Sequence, residues 1–164
     1  MKTQKLFVLA AISCLLLGVS GGEVMAEGCG DGFLINETFG SLRVTDDNCV
    51  IMSSTFSGDL RVIDSQSILL LNNKVGGMLR VDGNEGGDGV ANVIANTVFG
   101  GQLIVRDYGT ANVIENETLT GNIRVISNVT ALVQKNISVQ DLICRENSTL
   151  SSFLNVAAIT LDCD

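Results

Sequence analysis

The sequence predicts an all-β chain that folds as a parallel β-helix of about six to seven coils, each of 18–24 residues. Three observations support this prediction. A G-x-L-x-V pattern recurs, a second apolar run follows each copy, and asparagine or another small polar residue usually follows that run. Glycine and β-branched residues dominate these segments and no 3.6-residue periodicity persists, so helices are not expected.

The repeat predicts the first strand of each coil. Its copies lie at Gly40–Val44, Gly58–Val62, Gly77–Val81, Gly101–Val105 and Gly121–Val125, with a degenerate copy at Gln140–Cys144. Their leucine or isoleucine positions are 18, 19, 24, 20 and 19 residues apart, and six copies at this period indicate a solenoid. One copy is too short to enclose a core, but copies stacked at strand spacing share a continuous one.

The rest of each coil predicts a second strand from the second apolar run, and a third core position just before the glycine. That third position is occupied by Phe39, Phe56, Val75, Phe99, Leu119 and Val139. We expect the glycines to form corners that need a positive φ, and the asparagines to stack as side-chain ladders. Because left-handed hexapeptide helices keep a constant coil length and these coils do not, a right-handed helix is favoured over a left-handed one.

The N-terminus has the pattern of a secretory signal peptide. Lys2 and Lys5 precede an apolar stretch, and a small-residue site ending at Ala26 follows it. We therefore expect residues 1–26 to be a signal peptide and residues 27–164 a single β-helix domain, secreted or in the periplasm. A retained anchor is less favoured because the apolar stretch is shorter than the ~18–20 residues of a membrane span. A lipoprotein signal at Cys14 has a poor match in the residues before it.

The composition excludes several classes of function. The chain has no histidine and only 4% aromatic residues, so histidine-based nucleophiles, histidine-ligated zinc and aromatic stacking platforms are not expected. Ten basic residues stand against eighteen acidic ones, which argues against nucleic acid or an anionic membrane as partner. No residues form a defensible nucleophile or acid and base pair. We therefore expect no catalytic residues, no cofactor and no enzyme activity.

Four cysteines follow the signal peptide, and an even number in an exported chain favours disulfides over metal ligands. Cys29 and Cys49 are 20 residues apart, and Cys144 and Cys163 are 19 residues apart, which is one coil in each case. Equivalent positions on adjacent coils lie ~4.8 Å apart, close to the Cα separation that a disulfide accepts. The sequence therefore predicts that these two pairs are bonded and staple the two ends of the helix.

The repeat and the last coil together resemble a group of small secreted proteins, mostly bacterial and uncharacterised, built from G-x-L-x-V repeats. In that group the last coil carries an L-x-C-x-x-N motif, and a final cysteine lies close to the C-terminus. Here the motif is matched by Leu142–Asn147, and Cys163 lies one residue from the end. The likeness covers about residues 36–164. It implies a β-helix fold, and so does a more distant similarity to the pectate-lyase type of helix, but neither resemblance implies a particular activity.

A row of arginines is the most suggestive candidate site. The outward x position of L-x-V carries Arg43, Arg61, Arg80 and Arg124. One interpretation is a basic strip that binds an anionic glycan or a carboxylate-bearing cell surface. The other is a solvated face balanced by Asp46, Asp64 and Asp107, each three residues further on. The second interpretation is favoured because the chain is acidic and Ile104 and Ile143 interrupt the row.

Two further features have weaker functional interpretations. The insertion 82–89 carries oxygen ligands and glycines, but it lacks the closing acidic residue of a calcium loop, so we expect a protruding loop and no metal site. Sequons would accept glycans only if the chain passes through a eukaryotic secretory pathway. They lie at Asn36, Asn116, Asn128, Asn136 and Asn147.

These observations together predict a non-catalytic secreted or surface β-helix protein with a structural or ligand-presenting role. Two alternatives stay open. The arginine row could make the protein a glycan-binding module, or end coils with unpaired backbone groups could assemble end to end into a matrix or fibre. The charged segments 27–31 and 162–164 argue against the second alternative, because charges usually protect strand edges.

Overall fold

The computed structural model describes residues 25–29, 32–84 and 87–163, with side chains from Gly28 onward. These residues contain no helix, and their strands form three parallel sheets, here called sheets A, B and C. Each coil passes from sheet A to sheet B to sheet C, and the sheets have eight, seven and seven strands. The predicted all-β parallel β-helix is therefore confirmed, with about seven coils.

The strands follow the same order in every coil. Sheet A contains Met25–Glu27, Ser41–Val44, Leu60–Val62, Leu79–Asp82, Leu103–Arg106, Ile123–Ile126, Asp141–Arg145 and Thr160–Asp162. Sheet B contains Phe33–Ile35, Asn48–Met52, Ser67–Leu71, Val90–Ile94, Thr110–Ile114, Thr130–Gln134 and Thr149–Phe153. Sheet C contains Thr38–Phe39, Thr55–Phe56, Lys74–Val75, Thr97–Val98, Glu117–Thr118, Ile137–Ser138 and Val156–Ala157.

The core is a set of stacked columns that run along the helix axis. In sheet A, the leucine or isoleucine of each repeat opposes its counterpart on the next coil, and the same holds for the valine two residues later. The first column is Leu42, Leu60, Leu79, Leu103, Ile123 and Leu142, and all six are buried. Burying one such side chain fully stabilises the fold by about 1.5–3 kcal/mol. The leucine and valine positions of the repeat therefore correspond directly to the core residues of sheet A.

The third core position differs from the prediction in the later coils. Phe99, Leu119 and Val139 are 43%, 39% and 39% exposed. The residue before each of them points inward, which places Val98, Thr118 and Ser138 in the core. The hydroxyls of Thr118 and Ser138 are accommodated because both donate to the carbonyl oxygen of Gly121, at 2.7 and 3.0 Å.

The corners also form differently from the prediction. The glycines of the repeat do not have positive φ. Among the residues outside the gaps, the left-handed corner positions other than glycine are Asn36, Ser53, Asp64, Asn72, Ala95, Asp107, Glu115, Ser127, Lys135, Glu146 and Leu154. The glycines meet a different need, because successive coils approach too closely for a side chain. A β-carbon on Gly121 would lie 2.2 Å from the carbonyl oxygen of Gly101.

The predicted asparagine ladder occurs at the corner between sheets B and C, directly after the left-handed residue. Its members are Ser54, Asn73, Asn96, Asn116, Asn136 and Asn155. The Oδ1 of each asparagine accepts from the backbone N–H of the preceding member at 2.9–3.0 Å. Each Nδ2 donates to a backbone carbonyl at 2.7–3.0 Å. The ladder thus pairs the corner amides that lie outside the sheets.

Both predicted disulfides form, with Cα–Cα separations of 5.9 Å for Cys29–Cys49 and 4.6 Å for Cys144–Cys163. The second pair joins equivalent positions, because the residues just before its two cysteines oppose each other. The first pair does not. Phe33 is the residue opposite Val50, and Cys29 lies four residues before Phe33. Cys29 therefore reaches Cys49 from the corner that precedes the strand. The first coil is shorter than the others, which makes this reach feasible.

The N-terminal prediction falls mostly outside the structure. Residues 1–24 lie outside the described part of the chain. Met25–Glu27 pairs with Ser41–Arg43, so the predicted boundary after Ala26 falls within a strand. In the described ranges, no helix has the length and apolarity needed to cross a membrane.

Candidate ligand-binding groove

Sheet A places the arginine row on its outer surface. Arg43 opposes Arg61, and Arg61 opposes Arg80, so three guanidinium groups lie on successive coils. Ile104 follows Arg80, and Arg124 follows Ile104. Parallel neighbours at ~4.8 Å spacing would repel unless acidic groups lie close to them.

The acidic partners of the row are not the ones expected from the sequence. Arg61 pairs with Asp59 at 2.6 Å, and Arg80 pairs with Asp82 at 2.7 Å. Among the described residues, Asp46 and Asp64 form no ion pair with the row, and their balancing of its charge at longer range stays a prediction. Side chains two residues apart lie on the same face of a strand, whereas a residue three positions on has already turned the corner.

Asp82 connects the arginine row to Arg106, which was not among the candidate residues predicted from the sequence. Asp82 opposes Arg106 on the next coil, and Arg106 binds its carboxylate through Nε at 2.8 Å and Nη2 at 3.2 Å. Asp107 adds a longer contact to Arg106, at 3.5 Å. Asp82 is 6% exposed, so the two arginines hold a nearly buried carboxylate. Aligning the residue after each repeat valine would have revealed this pair.

These side chains line a groove of about 680 Å³ at the corner between sheets A and B. The groove lies beside the insertion of the longest coil and includes Arg61, Arg80, Asp82, Asn84, Arg106 and Asp107. Arg43 and Arg124 do not line it. The structure therefore divides the predicted row into two arginines inside the groove and two outside it.

Two polar atoms of the groove residues are buried without a hydrogen-bond partner. They are Nε of Arg61, which is a donor, and Oδ1 of Asn84, which is an acceptor. Leaving such a group unpaired costs about 1–3 kcal/mol, and more for a charged group. Neighbouring atoms close both of them off from the groove, so a ligand there would instead meet the partly exposed guanidinium groups of Arg61, Arg80 and Arg106.

Tyr108 forms a rigid support behind the groove. It is fully buried, and β-carbons on Gly83 and Gly89 would lie 3.2 and 3.1 Å from its ring, so the ring is enclosed by the two ends of the insertion. Its hydroxyl donates to the carbonyl oxygen of Asp82 at 3.4 Å. Burial, followed by the charges of Asp82 and Asp64, raises the pKa of Tyr108.

Arg106 is held as a cation. Its hydrogen bond to Asp82 raises the pKa of Arg106, against the opposing effect of burial, and the charges of Asp82 and Asp107 act in the same direction as the hydrogen bond. Arg106 therefore presents a permanent positive charge beside the groove.

The sequons do not provide comparable sites. Asn116 and Asn136 are buried members of the corner ladder, and their Nδ2 atoms donate to backbone carbonyls at 2.7 Å. Asn128 is buried as well and bonds to Asn147 on the next coil. The folded chain has no room for a glycan on these three buried side chains. Asn36 is exposed, and its use stays a prediction.

The insertion 82–89 is only partly described by the structure. Among the described residues of the chain, no group of three or more histidine, cysteine, aspartate or glutamate side chains is arranged to hold a metal ion. Glu85 and Gly86 of the insertion lie outside the described residues. Comparisons with protein-family models, curated proteins and solved structures find no match to the chain. The functional argument therefore depends on the geometry of the groove and of the helix.

Proposed function

We propose that the protein is a non-catalytic, exported β-helix that presents a ligand-binding groove at the corner between sheets A and B. The observation that carries the proposal is a groove of about 680 Å³ lined by three partly exposed arginines, Arg61, Arg80 and Arg106. The two disulfides are consistent with an oxidising compartment outside the cytosol.

The proposed ligand is an acidic sugar, such as a uronic acid unit of a glycan. Its carboxylate would accept from the partly exposed guanidinium groups of Arg61 and Arg80, in the charge-assisted manner that arginine favours. A neighbouring hydroxyl would donate to the carboxylate of Asp107, which lines the same groove. Asp59 and Asp82 already engage the arginines, so the groove is selective for a ligand that carries both groups and disfavours a bare anion.

The proposal is tested by calorimetric titration with a short galacturonic-acid oligomer and with a galactose oligomer of the same length. We expect saturable binding of the acidic oligomer only. Replacing Arg61→Gln together with Arg80→Gln should weaken it about 10- to 100-fold, the effect of losing a charged hydrogen bond.

The chain offers a matched control for this experiment. Arg43→Gln with Arg124→Gln removes the same charge from the same row, but outside the groove. We expect this pair to bind like the wild type. Equal weakening by both pairs would instead indicate attraction to the overall row. Absence of binding by the wild type would contradict the acidic-sugar proposal.

A further inference from the structure

The outer face of sheet B is apolar and open to solvent. One column along this face runs in register through Ile35, Met52, Leu71, Ile94 and Ile114. A neighbouring column contains Phe33, Val50 and Leu69, followed by a hydrogen-bonded pair, Asn92 and Asn112, at 2.8 Å. Phe33 and Ile35 are 64% and 48% exposed at one end of the face.

This face also lacks charge. Within the described strands of sheet B, no outward-facing residue is aspartate, glutamate, lysine or arginine. The outer faces of the other two sheets both carry charges, for example Arg61 on sheet A and Lys74 on sheet C. In a chain with a net charge of −8, one uncharged sheet face is a distinct surface.

Parallel strands with continuous apolar runs normally have both faces covered. The runs Val50–Met52 and Ile68–Leu71 have this character, yet the outer side chains of these strands remain partly exposed. Monomeric proteins rarely leave contiguous apolar surface of this kind uncovered, so it marks an interaction site.

We infer that the outer face of sheet B binds a second copy of the chain, face to face and about a two-fold axis. Two acidic molecules repel each other, and the uncharged strands of this face keep like charges out of the centre of the contact. An isologous pair needs a self-complementary surface, and a flat uncharged sheet face meets that condition.

The dimensions of the face agree with this inference. Seven strands at ~4.8 Å spacing, each about five residues long, cover about 500 Å², so that a pair buries about 1,000 Å² in total. This is at the threshold of about 1,000 Å² for a specific interface. The dimer is therefore expected to be stable at micromolar concentrations and reversible.

The surroundings of the face favour a protein copy over a membrane. Asp64, Asp107 and Glu146 lie at the corner before the strands, and Glu115 and Lys135 lie at the corner after them. A charged border around an apolar centre is typical of protein interfaces. A mainly acidic border would be repelled by an anionic lipid surface.

The test is the molar mass in solution, measured by sedimentation equilibrium and light scattering over a wide range of concentrations. We expect the wild type to approach the mass of two chains and to stop there. Ile94→Lys places a charge on the central strand of the face, and it should weaken pairing more than about a hundredfold because each lysine would be buried without a partner.

Ile143→Lys provides the control, because Ile143 is a partly exposed outward residue of sheet A. It should pair like the wild type, and all three proteins should show the same β-sheet circular dichroism, with similar melting temperatures at a concentration low enough for every protein to be a monomer. The inference is overturned if the wild type stays at one chain at its highest soluble concentration, or if Ile94→Lys pairs normally. Continued growth of the mass beyond two chains would indicate end-to-end assembly and would also overturn it.

Discussion

At Gly100 the backbone of one coil passes so close to the next that a β-carbon would lie 2.1 Å from the carbonyl oxygen of Gly76. Gly121 meets the same constraint against Gly101. Neither glycine has a positive φ, so their role is steric. At the left-handed corners, by contrast, residues other than glycine, such as Ala95 and Lys135, adopt a positive φ. The corner asparagine that follows each of them is held by the ladder, and this fixes the turn.

A pair of glycine substitutions tests this interpretation. Gly100→Ala should lower the free energy of unfolding by about 1–3 kcal/mol, because the methyl group has to push two coils apart. Gly40→Ala is the matched control, since nothing lies within 4 Å of its added β-carbon. It should be neutral or stabilise by about 0.4–1 kcal/mol through the unfolded chain. Urea unfolding followed by circular dichroism measures both, and equal destabilisation would contradict the steric role.

At the scale of the element, the corner ladder acts as a continuous polar strip beside an apolar core. Asn96 illustrates how one member of the ladder makes several hydrogen bonds. Its Oδ1 accepts from both the backbone N and the Nδ2 of Asn73, and its Nδ2 donates to the carbonyl of Leu70. Buried groups of this kind stabilise only when all of them are paired, so removing one member leaves several groups unpaired on the adjacent coil.

The ladder predicts a large effect for Asn96→Ala. At least two buried groups of Asn73 lose their acceptor, so the free energy of unfolding should fall by about 3 kcal/mol or more. Asn92→Ala is the comparison, because Asn92 also bonds to an asparagine on the next coil but lies on the partly exposed surface of sheet B. Water replaces that bond, and the loss should stay below about 1 kcal/mol. Thermal unfolding monitored by calorimetry distinguishes the two outcomes.

At the scale of the molecule, the helix is stacked in one dimension and its terminal coils have one neighbour each. The last coil is accordingly exposed, with Leu154 and Ile159 at 70% and 73%. Cys144–Cys163 ties this coil to the one before it, and Cys29–Cys49 does the same at the other end. The two disulfides therefore stabilise the terminal coils, where local unfolding would begin.

Removing one staple should therefore loosen one end only. In the Cys144→Ala and Cys163→Ala double variant, we expect hydrogen-exchange protection to fall in residues 149–163, corresponding to about 2–4 kcal/mol of lost local stability. Protection in the central strand Thr110–Ile114 should be unchanged. The Cys29→Ala and Cys49→Ala variant should show the opposite pattern, at the first coil. A uniform loss of protection in either variant would show that the coils unfold as one unit.

Much of the fold was predictable because the same core contacts recur in every repeat of the sequence. The leucine and valine columns, the coil number and the Cys144–Cys163 pair follow from spacing, since equivalent residues of adjacent coils have to meet. Cys29 and Cys49 are also about one coil apart, but they are not equivalent, and the path of the first corner brings them together. The inward positions of Thr118 and Ser138 were missed because their hydroxyls are paired by each other and by a corner carbonyl that only the fold brings near.

The sequence by itself determined the interior of this protein, and the tertiary structure decided its surfaces. Arg106 joins the groove because Asp82 opposes it across a 24-residue coil, a contact that depends on the path of the insertion. The apolar runs of sheet B have no alternation that separates inner from outer residues, so their open face emerged only once the coils were stacked. The periodicity of the sequence specifies which residues occupy equivalent positions on successive coils. The strand register and the corner geometry specify which groups each of these residues contacts.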